Sequence, residues 1–92
     1  RRDYQMHQDK KSEGGAINIQ LSEHVTFINK GSIAKKLSAI PNDTIVTIDA
    51  SKSHYIDIDV LEIIYDFEIA AKLKNIQVNL VQVPARATVS GH

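Results

Sequence analysis

The stretch Thr44–Ala50, "TIVTIDA", constrains the fold more than any other in the chain. It is rich in β-branched residues and almost continuously apolar, which predicts a strand covered on both faces. A polar turn follows, and then a long helical pattern runs from about Asp57 to Lys74. Within it Val60, Ile63, Ile64, Phe67, Ala70 and Ala71 fall at i, i+3, i+4, i+7, i+10 and i+11, a wide apolar stripe. Lys72 and Lys74 suit the negative end of the helix dipole, and Asn75 can cap it. Ile76, Val78 and Leu80 then alternate with Gln77 and Asn79 in a last strand that Pro84 stops. Strand, helix and strand in succession imply a parallel crossover, and hence an α/β fold.

The first half fits the same plan. Ile17, Ile19 and Leu21 alternate with Asn18 and Gln20, the pattern of a half-buried strand. Ser22-Glu23-His24 makes a short turn, and Val25–Ile28 reads as a second strand. So short a connection predicts an antiparallel pair. Ser32 is placed to cap a helix carrying Ile33, Leu37 and Ile40 inward, which Pro41 ends. Asn42-Asp43 turns the chain. The expected fold is therefore a small mixed sheet of about four strands with helices packed on it, in the order β-β-α-β-α-β.

Ninety-two residues hold one small domain. Residues 1–14 have no apolar periodicity and end in Gly14-Gly15, so they read as a linker or flexible arm. Their basic residues Arg1, Arg2, Lys10 and Lys11 would also suit a cytoplasmic segment just after a membrane helix. Residues 15–83 form the domain and 84–92 a patternless tail. The chain starts at Arg1, which favours a piece of a longer protein.

Composition excludes several classes of function. There is no cysteine, hence no disulfide, thiol nucleophile or Cys-based zinc site. Eleven basic and 11 acidic residues give zero formal charge, which removes the basic footprint of a nucleic-acid binder. No run approaches the roughly 18 apolar residues that a membrane span needs. The stretch "NKGSIAKKL" lacks the Gly-Lys-Ser/Thr ending of a phosphate loop, and a dinucleotide fingerprint is absent too, so no cofactor is expected.

The chemistry concentrates between Asp49 and Glu62, "DASKSHYIDIDVLE". Ser51, His54 and Asp57 could be drawn as a catalytic triad, but all lie in one turn without a Gly-x-Ser-x-Gly elbow. His7, His24, His54 and His92 include no i, i+3 or i, i+4 pair, so no helical metal site is expected. Asp59-Val60-Leu61-Glu62 fits a capping box, with Asp59 the cap and Glu62 three residues on. Free anions are disfavoured at this helix end. A like-charge contact at 4 Å costs about 1 kcal/mol in water and about 4 kcal/mol where partly buried, which matches or exceeds the dipole's attraction.

Leu61, Tyr65, Ile69 and Leu73 recur every fourth residue, on the side roughly opposite the core stripe. A domain this small struggles to cover both sides of one helix. This second stripe is therefore a candidate interface for a partner domain, a second copy of the chain in a homodimer, or another part of a parent protein.

The element order, Phe27-Ile28-Asn29 after the second strand, Ile48-Asp49-Ala50-Ser51, and Tyr55-Ile56-Asp57-x-Asp59 before a long helix together resemble STAS domains. These are the sulfate-transporter and anti-sigma-factor-antagonist domains. More narrowly, the chain resembles the cytoplasmic C-terminal domain of bacterial SulP-type anion transporters, over about Gly15–Val83. The resemblance implies a non-enzymatic interaction module on the cytoplasmic side of the membrane. Its partners would be the transmembrane core of its transporter, or a protein or nucleotide at the turn after the third strand. Ser51, Ser53, His54, Tyr55, Asp57 and Asp59 are its expected partner-binding turn. In the stand-alone antagonist branch the turn reads Asp-Ser-Ser-Gly and carries a phosphorylated serine. Asp57 matches that aspartate, whereas Ile58, Asp59 and Val60 stand where the serines and glycine would be. The resemblance thus implies a permanently charged turn, not a phosphorylation switch. A soluble anti-sigma-factor antagonist and a small hydrolase built on His54 and the two aspartates are the alternatives. The family usually continues beyond the strand at Ile76, so the edge at Val81-Gln82-Val83 is expected to need a partner.

Overall fold

The computed structural model describes residues 4–9, 15–26, 28 and 30–86. Its elements are β1 (Tyr4–Asp9), β2 (Ala16–Leu21), β3 (His24–Val25), α1 (Lys30–Ser38), β4 (Ile45–Asp49), β5 (Tyr55–Ile56), α2 (Ile58–Ala71) and β6 (Gln77–Val81). A 3-10 helical turn, Lys72–Lys74, extends α2. The fold is α/β, as the sequence predicts. One mixed sheet has the order β1-β2-β4-β6, and β3 and β5 form a separate two-stranded sheet.

The crossovers are as expected: β2 pairs parallel with β4, and β4 parallel with β6. Both steps run the same way across the sheet, so crossovers of one hand put α1 and α2 on the same face, where they touch. Ile17, Ile19, Leu21, Val46 and Ile48 face these helices and are buried with Ile33, Leu37, Val60 and Ile64. The alternate residues Ala16, Asn18 and Ile45 are exposed. The expectation that Thr44–Ala50 is covered on both faces is therefore corrected. Ile45 is 47% exposed, and Thr47 and Asp49 are half-buried. Thr44 just before β4 is buried, its hydroxyl donating to the Pro41 carbonyl at 2.7 Å.

The antiparallel neighbour of β2 is not the segment after it. Residues 4–9, read as part of a flexible arm, form β1 along β2 in the register Tyr4↔Leu21 to Asp9↔Ala16. Tyr4 and Met6 pack partly buried against the core. Their spacing is an alternation, but polar neighbours at Gln5, His7 and Gln8 leave too few apolar residues for it to register. Residues 1–3 and 10–14 of that reading lie outside the described residues. The expected strand Val25–Ile28 shortens to His24–Val25, which pairs parallel with Tyr55–Ile56. Phe27 and Asn29 lie outside the described residues. α1 begins at Lys30, so Ser32 sits inside the helix and does not cap it.

At its far end, α2 closes as the sequence predicts. Asn75 takes the left-handed conformation (φ 54°) that ends the helical run. Its side-chain amide donates to Asp43 Oδ1 at 2.7 Å, and Asp43 is itself left-handed (φ 64°). Two residue types that tolerate this conformation thus tie the end of α2 to the turn entering β4.

Candidate functional site

The turn between β4 and α2 is stitched to the segment after β2. The N–H groups of His54 and Tyr55 both donate to the Glu23 carbonyl, at 2.8 and 3.1 Å, and Asp57 N–H donates to the Val25 carbonyl at 2.8 Å. Ser53 Oγ donates to the Ser22 carbonyl at 2.7 Å. These bonds make the small β3–β5 sheet and hold the turn in one shape. Sequence reading could not find this seam, because β3 and β5 are two residues each and pair residues 31 positions apart.

Each carboxylate in the turn has a local partner. Asp57 is the helix cap: its Oδ1 accepts from Asp59 N–H at 2.8 Å, with φ −58° and ψ 142° outside the helical region. Tyr55 Oη also donates to Asp57 Oδ2, at 3.4 Å. The capping box at Asp59 is thus corrected. Asp59 lies in the first helical turn and pairs with Lys30 Nζ at 3.3 Å, while Glu62 pairs with Arg86 at 3.1 Å. Hydrogen bonding of β5 to β3 fixes where the extended chain ends, and that moves the cap two residues back. Replacing Asp57 with Ala is expected to cost about 1 kcal/mol, and Asp57→Asn only a small part of that, since asparagine caps as well. Asp59→Asn breaks one exposed ion pair and is expected to cost under about 1 kcal/mol. Urea denaturation of the three variants checks the ranking.

Asp49, at the end of β4, accepts from Ser51 N–H at 2.8 Å. The Ser51 hydroxyl, then its N–H, and then the nearby Lys52 charge hold this carboxyl below its ordinary value of 3.8. A depressed folded-state value means that Asp49 stabilises the fold above the unfolded value and that this contribution is lost as pH falls through the folded one. Carboxyl-carbon NMR is expected to show Asp49 titrating below its ordinary value, and Ser51→Ala to move it part of the way back.

No hydrogen bond joins Ser51, His54 and Asp57 among the described residues. Asp57 is committed to Asp59 and Tyr55, and the His54 ring faces His24, with centroids 6.4 Å apart. Ser51 is exposed, Ser53 half-buried, and Tyr55 and Ile58 stand 51% and 63% exposed beside the two aspartates. The arrangement can present a surface. Among the described residues no group of three or more His, Asp or Glu could hold a metal ion.

The second stripe of α2 divides in two. Leu61 and Tyr65 are buried, at 9% and 6%, whereas Ile69 and Leu73 are exposed. Part of the cover comes from the stretch read as a patternless tail. Tyr65 Oη donates to the Pro84 carbonyl, and the Arg86 guanidinium lies 4.8 Å from the Tyr65 ring centroid. Arg86 also pairs with Glu62 and with Asp66 at 3.4 Å. Residues 87–92 of that tail lie outside the described residues. Two grooves flank α2 away from the turn. One of 320 Å³ lies between α1 and α2, with Ala34, Leu37, Ile63 and Phe67 in its wall. The other, of 300 Å³, lies between Tyr65, Ile69, Leu80 and Val83.

The fold and turn together define a small α/β domain with a capped, hydrogen-bonded loop at the entrance to its longer helix. No family model and no curated protein matches the chain. Among solved structures, the chain is similar to a crystal structure of Mglu, with a TM-score of 0.61 at 13% identity over 89% of this chain. The chain spans 20% of the length of Mglu. At that identity the likeness is one of fold alone. Among the described residues no helix is long and apolar enough to cross a membrane.

Proposed function

We propose that the chain is a non-enzymatic STAS-type interaction domain, the regulatory module of a SulP-type transporter of sulfate or a related anion. The turn Ser51–Asp59 is its docking surface, toward either the transporter's transmembrane core or another protein. What carries this reading is that the turn's carboxylates are already engaged while Ile58 and about half of Tyr55 are open to solvent. Asp57 caps α2 and Asp59 pairs with Lys30, whereas Ile58 and the Tyr55 ring, tethered through its hydroxyl to Asp57, stand exposed beside them. Exposed aromatic and aliphatic groups on a rigid, internally satisfied loop are what a protein partner can bury. The signature "IDAS…YIDxD" supplies the transporter half of the proposal.

Two measurements test it. The reading frame upstream of Arg1 is expected to encode about ten or more hydrophobic spans; its lack of any sinks the transporter assignment. In the parent protein, Tyr55→Ala combined with Ile58→Asp is expected to change anion uptake several-fold at equal protein level. Unchanged uptake would remove the docking role from this turn.

A further inference from the structure

His24 and His54 occupy the two sides of the β3–β5 seam. The register pairs His24 with Tyr55, and His54 stands in the bend immediately before β5. The backbones that carry the two rings are held together by the bonds of His54 and Tyr55 to the Glu23 carbonyl. Both residues are exposed, and the ring planes are inclined at 47°. Among the described residues, no hydrogen bond takes up a ring nitrogen of either.

We propose that His24 and His54 together bind a borderline divalent transition-metal ion (Zn²⁺, Ni²⁺ or Cu²⁺), which clips β3 to β5. With a metal–nitrogen bond of about 2.1 Å, a ring centroid sits about 3.2 Å from its ion, so two imidazoles in tetrahedral coordination have centroids about 5.2 Å apart. The observed 6.4 Å exceeds that distance by about 1.2 Å, which the two exposed side chains would close by turning toward the ion on binding. Imidazole is the preferred donor for these ions, and hard cations such as Mg²⁺ and Ca²⁺ are not taken. No third His, Asp or Glu joins the pair among the described residues. The remaining positions are left to water or to a side chain of whatever docks on the turn. The site does not depend on the transporter assignment.

Thirty positions separate the two histidines in the chain, so an ion that needs both binds the folded state far better than the unfolded one. Its binding therefore appears as added stability. Near neutral pH, with Zn²⁺ in excess, the unfolding temperature is expected to rise by roughly 4–8 °C, and Mg²⁺ to have no such effect. His24→Ala, His54→Ala and the double variant should each abolish the rise completely. His7→Ala combined with His92→Ala should leave it intact. In the unaltered protein, titrated Zn²⁺ should shift the ring resonances of His24 and His54 with one shared midpoint. Acidification should reverse the effect, because both rings must be neutral to ligate. The proposal is overturned if the unaltered protein shows no rise, or if the rise survives either single variant. It is equally overturned if the rise depends on His7 or His92, or if only one ring responds in the titration. Since both side chains are exposed, the variants are expected to fold and the comparison to hold.

Discussion

Ile48→Ala is expected to lower the free energy of unfolding by about 2–5 kcal/mol. Ile48 is 1% exposed in the interior strand β4, paired to β2 through Ile19 and to β6 through Leu80. It lies in the one cluster that also holds the inward residues of α1 and α2. A cavity there cannot be closed by a shift of one element, because strands on both sides and helices above fix its walls. Domains of this size have only about 5–15 kcal/mol in all. The unfolding temperature should therefore fall by roughly 10 °C or more. Ile45→Ala, at the start of the same strand but on the open face, should change it little. Thermal unfolding of the two variants side by side tests the assignment of faces. Equal losses would mean that the sheet is covered on both sides.

Tyr65→Ala should cost about 3 kcal/mol, in the range for removing a buried aromatic ring, and Tyr65→Phe only about 1 kcal/mol. The difference separates the ring, 6% exposed and overlaid by Arg86, from the hydroxyl that donates to the Pro84 carbonyl. Ile69→Ala and Leu73→Ala, farther along the same stripe, should each stay within about 0.5 kcal/mol of the unaltered protein. Denaturant midpoints of the four variants would then divide the stripe into a structural half and an unpartnered half. If Tyr65→Ala were as mild as Leu73→Ala, the stretch Pro84–Arg86 would not cover α2 in solution. The whole stripe would then be available to a partner.

The stripe shows how far spacing alone carries a functional reading. Recurrence at every fourth residue grouped Leu61, Tyr65 and Ile69 of α2 with Leu73, which lies in the 3-10 turn that extends it. It could not tell which of them the chain covers with its own later residues. Arg86 gave no signal in a tail without periodicity, yet it bridges Glu62 and Asp66. The candidate turn was legible in the same partial way. Polar residues between a strand and a helix mark a helix entrance, and two carboxylates there mark a cap. Which carboxylate caps was decided by the two-residue pairing of β5 with β3, since that sets the last extended residue before the helix begins. His24 and Lys30, separated in the chain from the turn they meet, had no local mark at all.

Apolar periodicity by itself determined the strand–helix–strand succession from Ile17 to Val81 and the inward faces of α1 and α2, and the capping tendency of Asn75 marked the end of the helical run. Each of these depends on residues within one or two turns of each other, and such short-range steric and burial preferences are written locally. Only the tertiary structure decided that Tyr4–Asp9 lies along β2, that both helices share one face of the sheet, and that β3 seeks β5. These are choices among strand edges and faces of nearly equal local merit. They are settled by which long-range arrangement buries the most apolar surface while pairing the backbone.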